Sequence, residues 1–267
     1  YKTDLTAFIK SHSEAIPSNM IMKIASDIAS GMNMMNSSGI VHRDLKSFFS
    51  FFVFVFLFSL FLFLLKLNHI SQNRSNVLLE DDKGKLNAVI CDFGLARIQE
   101  SKVFLNSFIF SLFLFSNFNH LDRDSEEVDI KGFSPRYTAP EVFGRMTTNV
   151  INILIEDEMK GDVYSYATIL WQMMTRKIPW AHCMFFFFFF KFSYELNFFK
   201  KKKKLVKEAS DIEFHVRSGK REEIPDSKDD PYLVILSSII ELGWKQNPDE
   251  RPTFKQIDQK LSPITSL

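Results

Sequence analysis

The stretch Val41–Leu79, "VHRDLKSFFSFFVFVFLFSLFLFLLKLNHISQNRSNVLL", decides how this chain is to be read. Its first seven residues mix charged and apolar side chains, as a soluble loop does. Phe48 to Leu65 then carries no charge, and Ser50 and Ser59 are its only polar residues. That run is long and apolar enough to satisfy the usual test for a membrane-spanning helix. From Ser75 the mixed pattern returns. The question is whether Val41–Ser47 and Ser75–Leu79 belong to one folded unit.

Composition sets the frame. A chain of 267 residues can form one large domain or two small ones around a sizeable core. A formal net charge of +1 leaves no excess of positive charge for phosphate backbones, so a general nucleic-acid binder is not expected. Cys91 and Cys183 cannot make a disulfide framework and nothing like a secretory signal opens the chain. A reducing, cytoplasmic setting is therefore the expectation. Phenylalanine is the anomaly. Of 30 in all, nine fall in residues 48–74, six in 103–121 and nine in 184–208. Outside these tracts its frequency is ordinary. The chain is a mosaic of globular sequence and three low-complexity insertions.

The globular part has readable elements. After Pro17–Ser18, residues Ile21, Ile24, Ile28, Met32 and Met35 recur at three- and four-residue spacing. This predicts an amphipathic helix capped by Ser18 and ended by Gly39. "NVLLEDDKGKLNAVIC" is two apolar runs around a charged turn containing Gly84, a hairpin pattern. "DVYSYATILWQMMT" (162–175) is too long and too continuously apolar for a typical strand and predicts a helix buried all round. "DPYLVILSSIIELGWKQ" and "PTFKQIDQKL" are further helix candidates, the second opened by Pro252–Thr253.

Four short motifs follow in order: "VHRDLKS" (41–47), "NVLL" (76–79), "DFGLAR" (92–97) and "APE" (139–141). Singly each is weak. As an ordered set they resemble the C-terminal lobe of a eukaryotic protein kinase, and "DVYSYA", "IPW" and "NPDERPTF" are similar to that family's later signatures. The resemblance covers the chain outside the three tracts, as one catalytic domain over residues 1–267. It implies a protein-kinase-like α+β fold, here a mostly helical C-lobe with a small β-hairpin. "DLKS" and "PRYTAPE" are closest to the tyrosine-kinase-like group of serine/threonine kinases.

The resemblance also implies roles. Phosphoryl transfer needs an aligned hydroxyl and metal ions that neutralise the phosphates, with little covalent work from the protein. Asp44 would accept the substrate hydroxyl proton, Lys46 would contact the γ-phosphate, and Asn76 and Asp92 would hold Mg²⁺. Carboxylate and amide oxygens are the hard ligands that Mg²⁺ prefers. Leu78 would lie under the adenine of ATP. Arg43 matches the arginine that meets an activation-loop phosphate by charge-assisted hydrogen bonds. His42 and Phe93 are expected to pack beside the site. Glu141 and Arg251 resemble a buried ion pair, and Asp162 a brace for the catalytic loop. Cys91 is expected to be a small packing residue in the nucleotide pocket, since a buried thiol in apolar surroundings is inert. In "GFSPRYTAPE" (132–141), Thr138 matches the threonine near the catalytic Asp and Lys, and Ser134 is a candidate phosphorylation site.

The family's catalytic loop has four residues between its Asp and its Asn. Removing 48–74 leaves Leu45, Lys46, Ser47 and Ser75 between Asp44 and Asn76, which restores that spacing. Removing 103–121 brings the distance from "DFG" to "APE" within the usual range, and removing 184–208 rejoins "IPWAHC" to "ASDIEFHVRSGKREEIP", which reads as the next helix. A few residues around "NVINILI" (149–155) read as a smaller insertion. Three readings of the tracts compete. A single membrane span at 48–65 would separate Asp44 from Asn76, so a membrane anchor is not favoured. Surface loops of bare phenylalanine would be an aggregation hazard. Translated non-coding sequence accounts for both "FFFFFF" (185–190) and "KKKKK" (200–204), since TTT and AAA codons give Phe and Lys.

The opening "YKTDLTAFIK" resembles the segment just after a kinase hinge, and no glycine-rich phosphate loop, "VAIK"-type lysine or matching glutamate precedes it. The expectation is an ATP- and Mg²⁺-dependent Ser/Thr protein kinase acting on a protein substrate in signalling, inactive as the chain is written. The alternatives are a non-catalytic pseudokinase-like scaffold and a membrane-anchored kinase.

Overall fold

The computed structural model of the chain describes residues 3–47, 75–82, 85–98, 134–146, 155–183 and 209–265. The tracts 48–74, 103–121 and 184–208 lie outside the described residues, as do residues 149–154 of the smaller insertion and the Gly84 turn. Among the described residues no helix is long and apolar enough to cross a membrane.

The apolar stripe on "NMIMKIASDIASGMNMMNSS" forms α2 (Ser18–Ser37), and every member of the stripe is buried. Full burial of an Ile or Met side chain is worth about 1.5–3 kcal/mol, so this stripe anchors the helix. Gly39 follows with φ of 73°, a left-handed conformation that ends the helix. The N-cap differs from expectation. Pro17 occupies it, and its carbonyl accepts from the Met20 and Ile21 amides, both at 3.0 Å. The Ser18 side chain instead acts on the Asp230 carboxylate and helps hold that group below its usual range.

Before α2, Asp4 accepts from the Ala7 amide at 3.0 Å and opens α1 (Leu5–Ser11). This helix has too few turns for a periodic signal, and its buried Leu5 and Ile9 supply the anchoring. Strands β3 (Val77–Asp82) and β4 (Lys85–Ile90) pair antiparallel from Val77↔Ile90 to Asp82↔Lys85, the expected hairpin. β1 (Thr3–Asp4) adds to β3 as a third strand. The hairpin docks on α2 through Asp27, whose carboxylate accepts from the Ala88 amide (3.0 Å) and from Lys23 (2.6 Å). A second small sheet pairs β2 (Ile40–Val41) with β5 (Arg97–Ile98).

Beyond a 3₁₀ turn at Pro135–Tyr137 come α3 (Pro140–Met146) and α4 (Ile155–Thr175). α4 is buried continuously from Gly161 to Met173, as its unbroken apolar sequence predicts. A further helix, α5, occupies 209–217. α6 (Pro231–Gly243) is capped by Asp230, which accepts from the Tyr232 and Leu233 amides. α7 (Phe254–Thr265) opens on a reciprocal capping box. The Gln256 amide donates to Thr253 Oγ1, and the Thr253 amide donates to Gln256 Oε1. One apolar core runs through α1, α2, α4, α6 and α7, with the hairpin on its flank. The architecture is the mostly helical lobe with a small antiparallel sheet that the motifs imply.

Candidate active site

Three loop segments converge where the two small sheets meet the core. β2 runs into His42–Ser47, Ser75–Asn76 leads into β3, and Cys91–Ala96 joins β4 to β5. Residues 42–47 are held from below by α4. Asp162, 1% exposed, accepts the His42 and Arg43 amides at 2.8 Å each, one on each carboxylate oxygen. Arg43 sits at φ of 68°, a conformation that a non-glycine residue keeps only when its surroundings impose it. Burial pushes the Asp162 carboxyl up to about 7, against the pull of those two amides.

The central contact joins residues 32 positions apart. Asn76 Nδ2 donates to the Asp44 carbonyl at 2.6 Å and to Asp44 Oδ2 at 3.1 Å. The same Oδ2 takes Lys46 Nζ at 2.5 Å. The backbones meet as well: the Asn76 amide donates to the Lys46 carbonyl at 3.1 Å, and Ser75 Oγ reaches that carbonyl at 3.4 Å. Ser47 Oγ is tied to Thr6 Oγ1 at 3.1 Å. Asp44, Lys46, Ser47, Ser75 and Asn76 are all buried. A buried carboxylate and ammonium this close offset much of each other's desolvation.

His42 is fully buried and bridges two of the segments. Its Nδ1 accepts the Asp44 amide at 3.3 Å, which leaves Nε2–H to donate to the Cys91 carbonyl at 3.1 Å. Desolvation lowers its pKa, so it is a neutral positioning ring. Phe93 packs on it at 5.4 Å between centroids. Asp92 is exposed, with φ of 63°, and accepts the Gly94 amide at 3.4 Å. The Asp44 and Asp92 carboxylates both act electrostatically on His42, so they share one neighbourhood. Cys91 is half-buried, and its thiol pKa is raised by burial and by Asp92 and Asp4. Leu78, in β3, is half-buried.

The remaining expected residues lie further out. Arg251 grips Glu141 with two bonds of 2.7 and 2.8 Å, and its guanidinium lies 5.3 Å over the Tyr164 ring. The Thr138 hydroxyl donates to the Ser134 carbonyl at 3.0 Å. Ser134 heads the 3₁₀ turn. Arg43 points toward Glu158, 3.7 Å away. Glu158 was not visible in the sequence. It also meets Arg97 at 3.4 Å and is 7% exposed, yet it stands in an acidic first turn, "EDE", that reads as a solvated helix start.

The donor set suits a hard divalent cation. The Asn76 amide nitrogen is spent on Asp44, so Oδ1 is the atom it can offer, and among the described residues that oxygen takes no hydrogen bond. The Cys91 amide donates to the Asn76 carbonyl at 2.9 Å, which sets Asp92 one residue from that pairing, and amide and carboxylate oxygens are the donor types that Mg²⁺ prefers.

The sequence comparisons agree on the class. The model of the family described as protein tyrosine and serine/threonine kinase matches residues 1–47 and 114–261. The chain belongs to that family. Its relatives include a probable serine/threonine-protein kinase of Dictyostelium discoideum, 25% identical over 248 residues, covering 92% of this chain and 12% of that protein. The serine/threonine-protein kinase TNNI3K of Mus musculus is 27% identical over 241 residues, covering 89% of this chain and 18% of that protein. The dual specificity protein kinase shkC of Dictyostelium discoideum is 25% identical over 265 residues, covering 98% and 36%. The chain thus spans between 12% and 36% of the length of these three relatives. Residues 48–113 fall between the two stretches that the family model matches, and they include Asn76 and Asp92. It is the geometry that sets Asn76 against Asp44.

Proposed function

We propose that this chain carries the catalytic loop and metal-binding residues of an ATP-dependent protein kinase that phosphorylates serine or threonine. The observation that carries the reading is the Asn76–Asp44–Lys46 contact. Asp44 Oδ2 is occupied by Lys46 and Asn76, so Oδ1 faces an incoming hydroxyl and takes its proton. Lys46 holds the carboxylate in that orientation and offers its charge to the transferring phosphate. Asn76 Oδ1 and Asp92 would hold Mg²⁺, which when bound with ATP neutralises the phosphate oxygens during transfer. His42 and Asp162 are positioning residues: one orients the Asp44 backbone, the other the two amides before it. Ser134 is the acceptor we assign to regulatory phosphorylation, with Arg43 as the cation that would meet it.

The test is transfer of labelled phosphate from ATP to a protein acceptor, by the chain joined to a glycine-rich nucleotide-binding lobe. Label on serine or threonine is expected, and Asp44→Asn should lower the rate by about 10²–10⁴-fold without loss of folding. Equal rates in the two proteins would remove Asp44 from its role.

A further inference from the structure

A second group of chemistry-bearing side chains lies away from the Asp44 site and plays no part in it. His182 and Cys183 stand on the turn after α4, and His215 stands on α5. Their ligand atoms all lie within 4.8 Å of one another. The two imidazoles are 5.6 Å apart between centroids, and Trp180 stacks on His215 at 6.1 Å with an interplanar angle of 22°. Among the described residues, His215 Nδ1 is the one buried side-chain nitrogen or oxygen with no hydrogen-bond partner. A buried ring nitrogen left unpaired costs free energy unless something binds it.

The surroundings fit a metal. Glu222 Oε1 accepts the Trp180 amide at 2.6 Å and lies 3.9 Å from His182 Nδ1. At that distance the carboxylate makes no hydrogen bond to the ring, but a small rotation of His182 would bring the two into the carboxylate–histidine arrangement common behind a metal-bound imidazole. The His182 side chain is 56% exposed, so an ion has a route in. Two imidazoles and a thiol are a borderline-to-soft set that favours Zn²⁺ over Mg²⁺ or Ca²⁺. Zinc–ligand bonds of about 2.0–2.3 Å need the three atoms to close by about an ångström, within reach of side-chain rotation.

We infer that His182, Cys183 and His215 form a Zn²⁺ site, with water in the fourth position, that pins the turn after α4 to α5. It is independent of the kinase reading and stands or falls separately from it. The test is titration of the metal-stripped chain with Zn²⁺, followed by calorimetry, and with Co²⁺, followed by absorption. About one equivalent should bind, the Co²⁺ spectrum should carry the thiolate charge-transfer band, and Zn²⁺ should raise the melting temperature. Cys183→Ser and His215→Gln should each weaken binding by about 100-fold or more, while Cys91→Ser leaves it unchanged. His182→Gln, at an exposed position where little packing is lost, should do the same as the other two ligand variants. Absence of stoichiometric binding, or binding that survives both Cys183→Ser and His182→Gln, would overturn the site.

Discussion

At the residue scale, the proposed chemistry depends on groups whose types were legible and whose partners were not. An Asp, a Lys and an Asn in ordered motifs resemble a kinase catalytic loop, but only the fold reveals that one oxygen of Asp44 is taken by Lys46 and Asn76 together. Glu158 shows why such partners stay hidden. Its role comes from two arginines that β5 and the 42–47 loop bring to it, and nothing local marks that meeting. Asp162 allows a test of the loop's support by pH. Burial raises its carboxyl from 3.8 to about 7, so between those values the folded chain keeps a proton that the unfolded chain has released. Its contribution is therefore fullest below about pH 4 and is lost as pH rises through about 7. His42, whose lowered pKa acts in the opposite sense, contributes equally in both proteins, so Asp162→Asn should make the denaturant midpoint fall less, or rise more, with pH across that window than in the unsubstituted chain, whatever its overall stability. An unchanged slope in the variant would show that Asp162 titrates as an ordinary carboxylate.

Among the elements, those with a sustained period or a strong local signal were readable: α2 from its stripe, α4 from its unbroken apolar run, the hairpin from its turn, and α7 from Pro252–Thr253. The two-residue strands β1, β2 and β5 were not, because each exists only through a partner distant in sequence, Thr3 with Leu79 and Ile40 with Ile98. The Ser18 cap failed because the helix opens one residue earlier: the Pro17 carbonyl takes the Met20 and Ile21 amides, and Ser18 already lies within the helix. Packing between α4 and α6 turns on a residue whose only sequence signal is its smallness. A Cβ on Gly243 would stand 2.7 Å from Ala167 Cβ and 3.3 Å from the Val163 carbonyl oxygen. Gly243→Ala should destabilise the chain by about 1–3 kcal/mol, read as a lower denaturant midpoint. Adding Ala167→Gly should recover part of the loss; no recovery would mean that the two helices do not meet there.

For the whole molecule, the decisive fact is that the chain on either side of residues 48–74 comes together in hydrogen-bonding contact. The Lys46 carbonyl accepts from both Asn76 and Ser75, so a direct join of Ser47 to Ser75 fits the described geometry. Deleting 48–74 should therefore leave cooperative melting intact, at the same or a higher temperature; loss of the transition would show that the tract is part of the fold. The same geometry makes Asp44 and Asn76 parts of one site, and parts of one site do not lose activity independently. The most direct measurement is a double-mutant cycle on phosphoryl transfer with Asp44→Asn, Asn76→Ala and the pair, in the chain joined to a glycine-rich lobe. The double variant should be no slower than the worse single one. Losses that multiply, or an Asn76→Ala variant as fast as the unsubstituted chain, would contradict it.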